Sequence, residues 1–234
     1  MWRYWLKPYV YSLVLIFIMF QAWCVVWIGL YGIGLHPFSA FMKAEQMRLI
    51  PAKGQFMLER EWRSYGDISN NLKKAVVTSE DAGFVDHDGV DWVAIEKAKQ
   101  RNDRRGRITA GGSTISMQLT KNLFLSSNRS YLRKAEEIAM TYVMELMLPK
   151  DKILEIYLNT VEWGEGVFGA QAAAQHYFNR DASQLTPQQA AKLAVMLPAP
   201  KFYDANRKSK NLGSRANVIL RRMGSAQIPE NEGI

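Results

Sequence analysis

Residues 111–125 read GGSTISMQLTKNLFL. Two glycines interrupt the chain, and Ser113 or Thr114 then offers a hydroxyl that can cap a new helix. In that helix Ile115, Leu119 and Leu123 recur every four residues and share an apolar face. Thr114, Gln118 and Lys121 follow at spacings of four and three, so they share a polar face. The same pattern runs outward in both directions. Asn70 or Asn71 caps a short helix with Leu72, Ala75 and Val76 on one side. The longest helix is expected from Ser130 to Leu148, where Pro149 stops it, with Leu132, Ala135, Ala139, Tyr142, Val143 and Leu146 as its buried stripe. DKILEIYLN (151–159) and AQAAAQHYF (170–178) supply two more helices, the second after the glycine-broken WGEGVFG (163–169). TPQQAAKLAVML (186–197) carries Thr186 as cap, Pro187 at the first helical position and Gln189 as capping-box partner. Residues 211–223 form a last helix, and the tail after Gly224 is expected to fray. No period-two strand pattern of useful length, internal repeat or low-complexity tract occurs. The expected fold class is mainly α.

The N-terminal part follows a different logic. No Asp, Glu, Lys or Arg lies between Lys7 and Lys43, and VYSLVLIFIMFQAWCVVWIGLYGI (10–33) is almost wholly apolar. A bilayer span needs about 20 such residues, whereas the apolar core of a cleaved signal peptide has about 7–15. The expectation is a single transmembrane helix that stays attached. The chain divides into a short N-terminal segment (1–9), the span (10–35), a connector (36–60), a helical domain (61–224) and a tail (225–234). Arg3 and Lys7 precede the span while Lys43, Arg48 and Lys53 follow it, so positive charge alone does not orient it. The net charge of +8 points to anionic partners. A membrane-anchored domain is poorly placed for nucleic acid and well placed for a lipid-linked anion. The single cysteine, Cys24, excludes an internal disulfide.

A basic chain nevertheless concentrates acids in SEDAGFVDHDGVDW (79–92). An EF-hand loop starting at Asp86 would put Val90 at position 5 and Lys97 at position 12, so the calcium pattern fails. Zinc would need several His or Cys ligands, and His87 stands alone. Acid/base chemistry fits better. Glu80 adjoins Asp81 at a helix end, and Val76, Val77 and Phe84 can partly bury it, which raises a carboxyl pKa. Asp86, Asp88 and Asp91 read equally well as solvated turn residues.

Arg129, Arg133 and Glu137 recur every four residues along one helix face. Alone they would read as an exposed ladder worth a few tenths of a kcal/mol. Lys121 on another helix changes that reading, because cations converging from two helices can neutralise a phosphate or pyrophosphate. Ser113 and Thr114 would add helix N-terminal N–H groups for the same anion. No GxxxxGK[ST] occurs, so a nucleotide P-loop is not indicated. His176, in an alanine-rich helix, reads as a core or boundary residue, and no Ser/His/Asp constellation is visible.

Five ordered blocks resemble the peptidoglycan glycosyltransferases, glycosyltransferase family 51, also found as the N-terminal half of class A penicillin-binding proteins. They are EDAGFVDHDG (80–89), GGSTISMQLTKNLFL (111–125), RKAEE (133–137), ILEIYLN (153–159) and GVFGAQAAAQHYF (166–178). With no SxxK-type serine and little chain beyond, the resemblance implies the monofunctional branch. It implies a lysozyme-like, two-lobed helical domain, anchored in the bacterial inner membrane with the domain in the periplasm. It implies lipid II and the growing lipid-linked strand as partners, beside other cell-wall synthesis proteins. By resemblance Glu80 is the general base and Glu137 the second catalytic glutamate, while Lys121, Arg129 and Arg133 hold the pyrophosphate. Asp81, Phe84, His87, Ser113, Thr114 and Gln118 complete the implied substrate-binding set. Some relatives use a divalent cation, Mg or Mn, at the pyrophosphate, but this sequence shows no site for one. One departure is visible: Met117 stands where the family commonly has a glutamine, and it lies off the polar face of Thr114 and Gln118. A peptidoglycan-degrading enzyme of similar fold, or an inactive lipid II-binding scaffold, remains an alternative at this level.

Overall fold

The computed structural model describes residues 2–54, 57–107, 111–126, 128 and 130–231. Its residues fall into two compact units, 1–37 and 38–234. The first is built on one helix, α1 (Trp2–Gly32). Its stretch Tyr9–Gly32, 24 residues with mean hydropathy 2.4, is long and apolar enough to cross a bilayer. Many of its apolar side chains, among them Leu13, Leu15, Ile16 and Phe17, are exposed, while Cys24, Ile28 and Tyr31 are buried.

The second unit is mainly helical. In chain order it comprises α2 (Ala40–Lys53), β1 (Glu59–Arg60), α3 (Asn70–Glu80), α4 (Trp92–Arg105), α5 (Ile115–Phe124) and α6 (Tyr131–Met147). Then follow α7 (Lys150–Thr160), β2 (Glu162–Gly164), β3 (Val167–Phe168), α8 (Ala170–Phe178), α9 (Pro187–Met196), α10 (Pro200–Ala205) and α11 (Lys210–Arg222). The strands form one small sheet, β1-β3-β2, with β1 parallel and β2 antiparallel to β3. At two or three residues each they are too short to show alternation, which is why the sequence gives no strand signal.

The helices sort into two packing groups. In one, α3 packs on α9 and α11; in the other, α5 packs on α6, α7 and α2. As its periodicity requires, α5 buries Ile115, Leu119 and Leu123, and Met117 is fully buried beside them. Burying each such side chain contributes about 1.5–3 kcal/mol as an upper bound. That packing sustains a helix of ten residues, too short to persist alone. Thr186 and Gln189 form the expected capping box on α9.

Four local expectations are corrected. Ser69, not Asn70 or Asn71, caps α3. Much of the connector is helical: Ser39 caps α2, which buries Met42, Glu45 and Leu49. Glu45 and Pro51 obscured that pattern, one by being charged and the other by being a helix breaker. The tail does not fray at Gly224. Residues 223–225 make a helical turn, and the Tyr65 hydroxyl donates to the Pro229 carbonyl at 2.7 Å.

The largest correction concerns α6. Its buried residues are Glu137, Met140, Thr141 and Met144. The stripe expected to be buried faces outward instead: Leu132 is 85% exposed, Leu146 88% and Tyr142 39%. The helix turns the face of Glu137, Met140, Thr141 and Met144 inward, packing on α5, and hydrophobicity alone selected the opposite side.

Candidate active site

Glu80 is the last residue of α3. Its Oε2 accepts from Gln118 Nε2 on α5 at 3.0 Å, and its Oε1 accepts from Ser79 Oγ at 3.3 Å. Burial pushes its pKa above the usual carboxylate value. The hydrogen bonds from Gln118 and Ser79, and the charges of Arg215 and Lys121, offset this only in part.

The turn after Glu80 is held by its neighbours. Asp81 is buried, and its carboxylate accepts from His87 Nε2 at 3.0 Å and from the Ile115 backbone N–H at 3.0 Å. Burial disfavours the His87 imidazolium, yet the Asp81 hydrogen bond and charge outweigh it and raise the pKa. Phe84 is fully buried, with the Lys150 ammonium 4.7 Å from its ring centroid. Gly89 closes the turn at φ +85°. Its N–H donates to His87 Nδ1 at 3.1 Å and its carbonyl accepts from the Thr114 hydroxyl. A Cβ there would stand 2.7 Å from Thr141 Cγ2 and 2.7 Å from Glu145 Cγ. Of the acids without a chemical role, Asp91 caps α4 by accepting from the Ala94 N–H at 2.8 Å, while Asp86 and Asp88 are exposed.

The N-terminus of α5 differs from the expected anion cradle. The Ile115 N–H is taken by Asp81 and the Met117 N–H by Thr114, whose buried hydroxyl caps the helix. The anion received there is the protein's own carboxylate. Ser113 sits just outside, accepting from Lys134 Nζ at 3.0 Å.

The second glutamate lies in a cationic clamp. Glu137 is 2% exposed. Its Oε2 accepts from Arg133 at 2.6 Å and its Oε1 from Lys134 at 2.5 Å. These pairs are partly buried rather than an exposed ladder. Lys121 lies nearby, 5.7 Å from the Phe41 ring centroid. Burial lowers its pKa below that of an ordinary lysine, Glu137 and Glu80 act against this, and Arg133 and Lys134 lower it further. Lys121 thus feels both glutamates. Arg129, expected in the cationic set, lies outside the described residues.

The structure therefore brings Glu80, Gln118, Lys121, Arg133 and Glu137 into one electrostatic neighbourhood, with Ser113 at its margin. Asp81, Phe84, His87 and Thr114 lie beneath it as supports. Sequence reasoning missed Lys134, Arg215 and Tyr157. Lys134 had a signal, its i, i+3 spacing to Glu137 within RKAEE. Arg215, far off in the chain on α11, had none. Tyr157 lay inside a quoted block but looked like core, and it is fully buried; its hydroxyl donates to Gln118 Oε1 at 3.1 Å.

A third glutamate, Glu162, lines a cavity of about 680 Å³ together with Phe41, Phe124, Glu45 and Lys201. Burial pushes Glu162 up to about 7, against the charge of Lys201, whose Nζ is 3.3 Å from Oε1. Among the described residues no group of three His, Cys, Asp or Glu side chains is placed to hold a metal.

Comparison with known proteins adds an independent line. Residues 49–224 match the family model described as Transglycosylase. A Herminiimonas arsenicoxydans protein is 50% identical over 217 residues, 92% of this chain and 94% of its own length. A Dechloromonas aromatica protein is 46% identical over 228 residues, 96% of this chain and 97% of its own length. A Ralstonia nicotianae protein is 56% identical over 197 residues, 82% of this chain and 84% of its own length. All three are named biosynthetic peptidoglycan transglycosylase.

Proposed function

Because the chain belongs to the transglycosylase family, we infer that it is a peptidoglycan glycosyltransferase, polymerising lipid II into β-1,4 glycan strands. Glu80 takes the proton from the acceptor's 4-hydroxyl as that oxygen bonds to the donor's anomeric carbon. The anomeric carbon–oxygen bond breaks, and its electron pair leaves on undecaprenyl pyrophosphate with inversion of configuration. Protonated Glu80 then returns its proton to water. Lys121 and Arg133 stabilise the negative charge that gathers on the departing pyrophosphate, joined by Arg129 on the strength of the family motif. Glu137 orients Arg133 and Lys134, and Ser113 orients Lys134 in turn. A pKa raised by burial makes Glu80 a better proton acceptor than an ordinary carboxylate.

The observation that carries this reading is the position of Lys121, which couples electrostatically to both Glu80 and Glu137. One cation reporting on both carboxylates supports a single centre in which a proton is removed at one end and an anion leaves at the other. A resident divalent cation does not fit the described donor set, because both oxygens of Glu137 are already engaged by Arg133 and Lys134.

The test is strand synthesis from lipid II by the purified full-length chain. Glu80→Gln should lose at least ~10²-fold in rate, the usual contribution of a general base; near-normal synthesis would remove Glu80 from that role. Release of soluble fragments from purified cell-wall sacculi would instead indicate a degrading enzyme.

The apolar α1 associates the protein with the membrane. For the orientation, we propose the inner membrane with the domain on the periplasmic side, where the lipid-linked substrate is polymerised. Activity of alkaline phosphatase fused to the C-terminus would support it, and an inactive fusion that is instead protease-protected in the cytoplasm would refute it.

A further inference from the structure

A primary amide is an ambiguous partner for a general base. Its NH₂ and C=O ends are nearly the same size, so Gln118 can present either a donor or an acceptor to Glu80. The acceptor orientation would set Gln118 Oε1 against the carboxylate, lone pairs facing lone pairs. The donor orientation observed at Glu80 Oε2, 3.0 Å, is accompanied by a second contact at the other end of the amide. There the Tyr157 hydroxyl, fully buried on α7, lies 3.1 Å from Gln118 Oε1. Burial, and then the charges of Glu80 and Asp81, push the Tyr157 pKa well above that of an ordinary phenol, so it keeps its proton and donates it. Turning the amide over would take away that proton's acceptor and the Glu80 donor together.

We propose that Tyr157 is a positioning residue for the base: by locking the Gln118 amide it pins Glu80 Oε2 and leaves Oε1, held by the long 3.3 Å contact from Ser79, to receive the proton. The charged and titratable groups facing Glu80 are Asp81 beside it, Lys121 on α5, Tyr157 on α7 and Arg215 on α11. Of these groups Tyr157 touches the Gln118 amide, at its oxygen; at the other end Nε2 also donates, at a long 3.5 Å, to the Ser113 backbone carbonyl, which favours the same orientation. The inference rests on Glu80 being the base.

The experiment is Tyr157→Phe in the full-length protein, with kcat, KM and the pH dependence of kcat/KM measured on lipid II and Tm measured alongside. The phenyl ring still fills the space. Without the hydroxyl, ionised Glu80 loses its fixed donor, so its pKa rises and the acid limb of kcat/KM moves to higher pH. Misorientation should lower kcat on the order of 10-fold, with KM unchanged. In a Gln118→Ala background the same substitution should cost nothing further, because the lock is already gone. A merely structural tyrosine would lower Tm, leave the acid limb in place and cost the same in both backgrounds, and that result overturns the proposal. Should Tyr157→Phe not fold, Gln118→Met carries the test, and an unshifted acid limb there overturns it equally. An active Glu80→Gln enzyme removes the base assignment itself, whereas an inactive one combined with an unshifted Tyr157→Phe removes only the positioning role.

Discussion

Glu80 and Glu137 are the same side chain in two opposite surroundings. Glu80 ends α3, is desolvated, and has a neutral amide and a neutral hydroxyl as its hydrogen-bond donors. Glu137 sits inside α6, still more buried, with a guanidinium on one oxygen and an ammonium on the other. A buried carboxylate with neutral partners is a better proton acceptor than an ordinary one. One paired with two cations has both oxygens occupied and, on the proposed roles, positions those cations. On the proposed roles, burial alone does not separate the base from the acid that holds the cations; the charge of the partners does.

Exchanging the surroundings is the most direct way to break this contrast. Glu80→Gln should abolish strand synthesis by ~10²-fold or more, and no added buffer ion need restore it. Glu137→Gln should cost on the order of 10-fold, since it misplaces cations without removing the base. Its acid limb in kcat/KM should stay where the wild-type limb lies. A limb that moves in Glu137→Gln would mean that Glu137 contributes to the proton transfer and not only to holding the cations. Lys134→Met should be milder than Glu137→Gln, appearing mainly as a raised KM for lipid II, because Arg133 still holds the other oxygen of Glu137.

Glu162 sharpens the contrast through stability rather than rate. Its folded pKa is about 7 and its ordinary value 4.5, so between those values the folded chain binds more protons than the unfolded one. Stability contributed at this site therefore falls as pH rises through that window. Glu162→Gln should match wild type in Tm below about pH 4.5 and exceed it above about pH 7, as read by thermal unfolding. An equal or lower Tm at the higher pH would show that Lys201 compensates the charge fully.

Much of this arrangement is legible in the sequence, because it depends on local spacing. GGST before an amphipathic run gives α5 and its cap, and Gln118 and Lys121 fall on one face by helical geometry. The end of α3 at Glu80 follows from the apolar residues before it and the glycine turn after it. What was illegible depends on which face a helix turns inward. The exposed stripe of Leu132, Tyr142 and Leu146 has the better apolar period, so no counting rule could choose the Glu137 side of α6. Helix α2 was hidden by Glu45, a buried charge that Arg48 and Lys201 compensate, the second from more than 150 residues away. Arg215 and Tyr157 reach Glu80 or its partner only through the tertiary fold.

The two glutamates belong to different packing groups of helices, and Gly89 sits at the seam between them. It lies against Thr141 and Glu145 of α6, carries the His87 ring that steadies Asp81, and receives the Thr114 cap of α5. What fits it for this post is an atom it does not possess. Adding one methyl group there would act as a wedge, prising α6 away from the turn while leaving every reacting side chain chemically intact. Such a lesion would resemble an active-site knockout in a growing cell yet contain no altered functional group, so a loss of wall synthesis mapped to this position is a fault of spacing and not of chemistry.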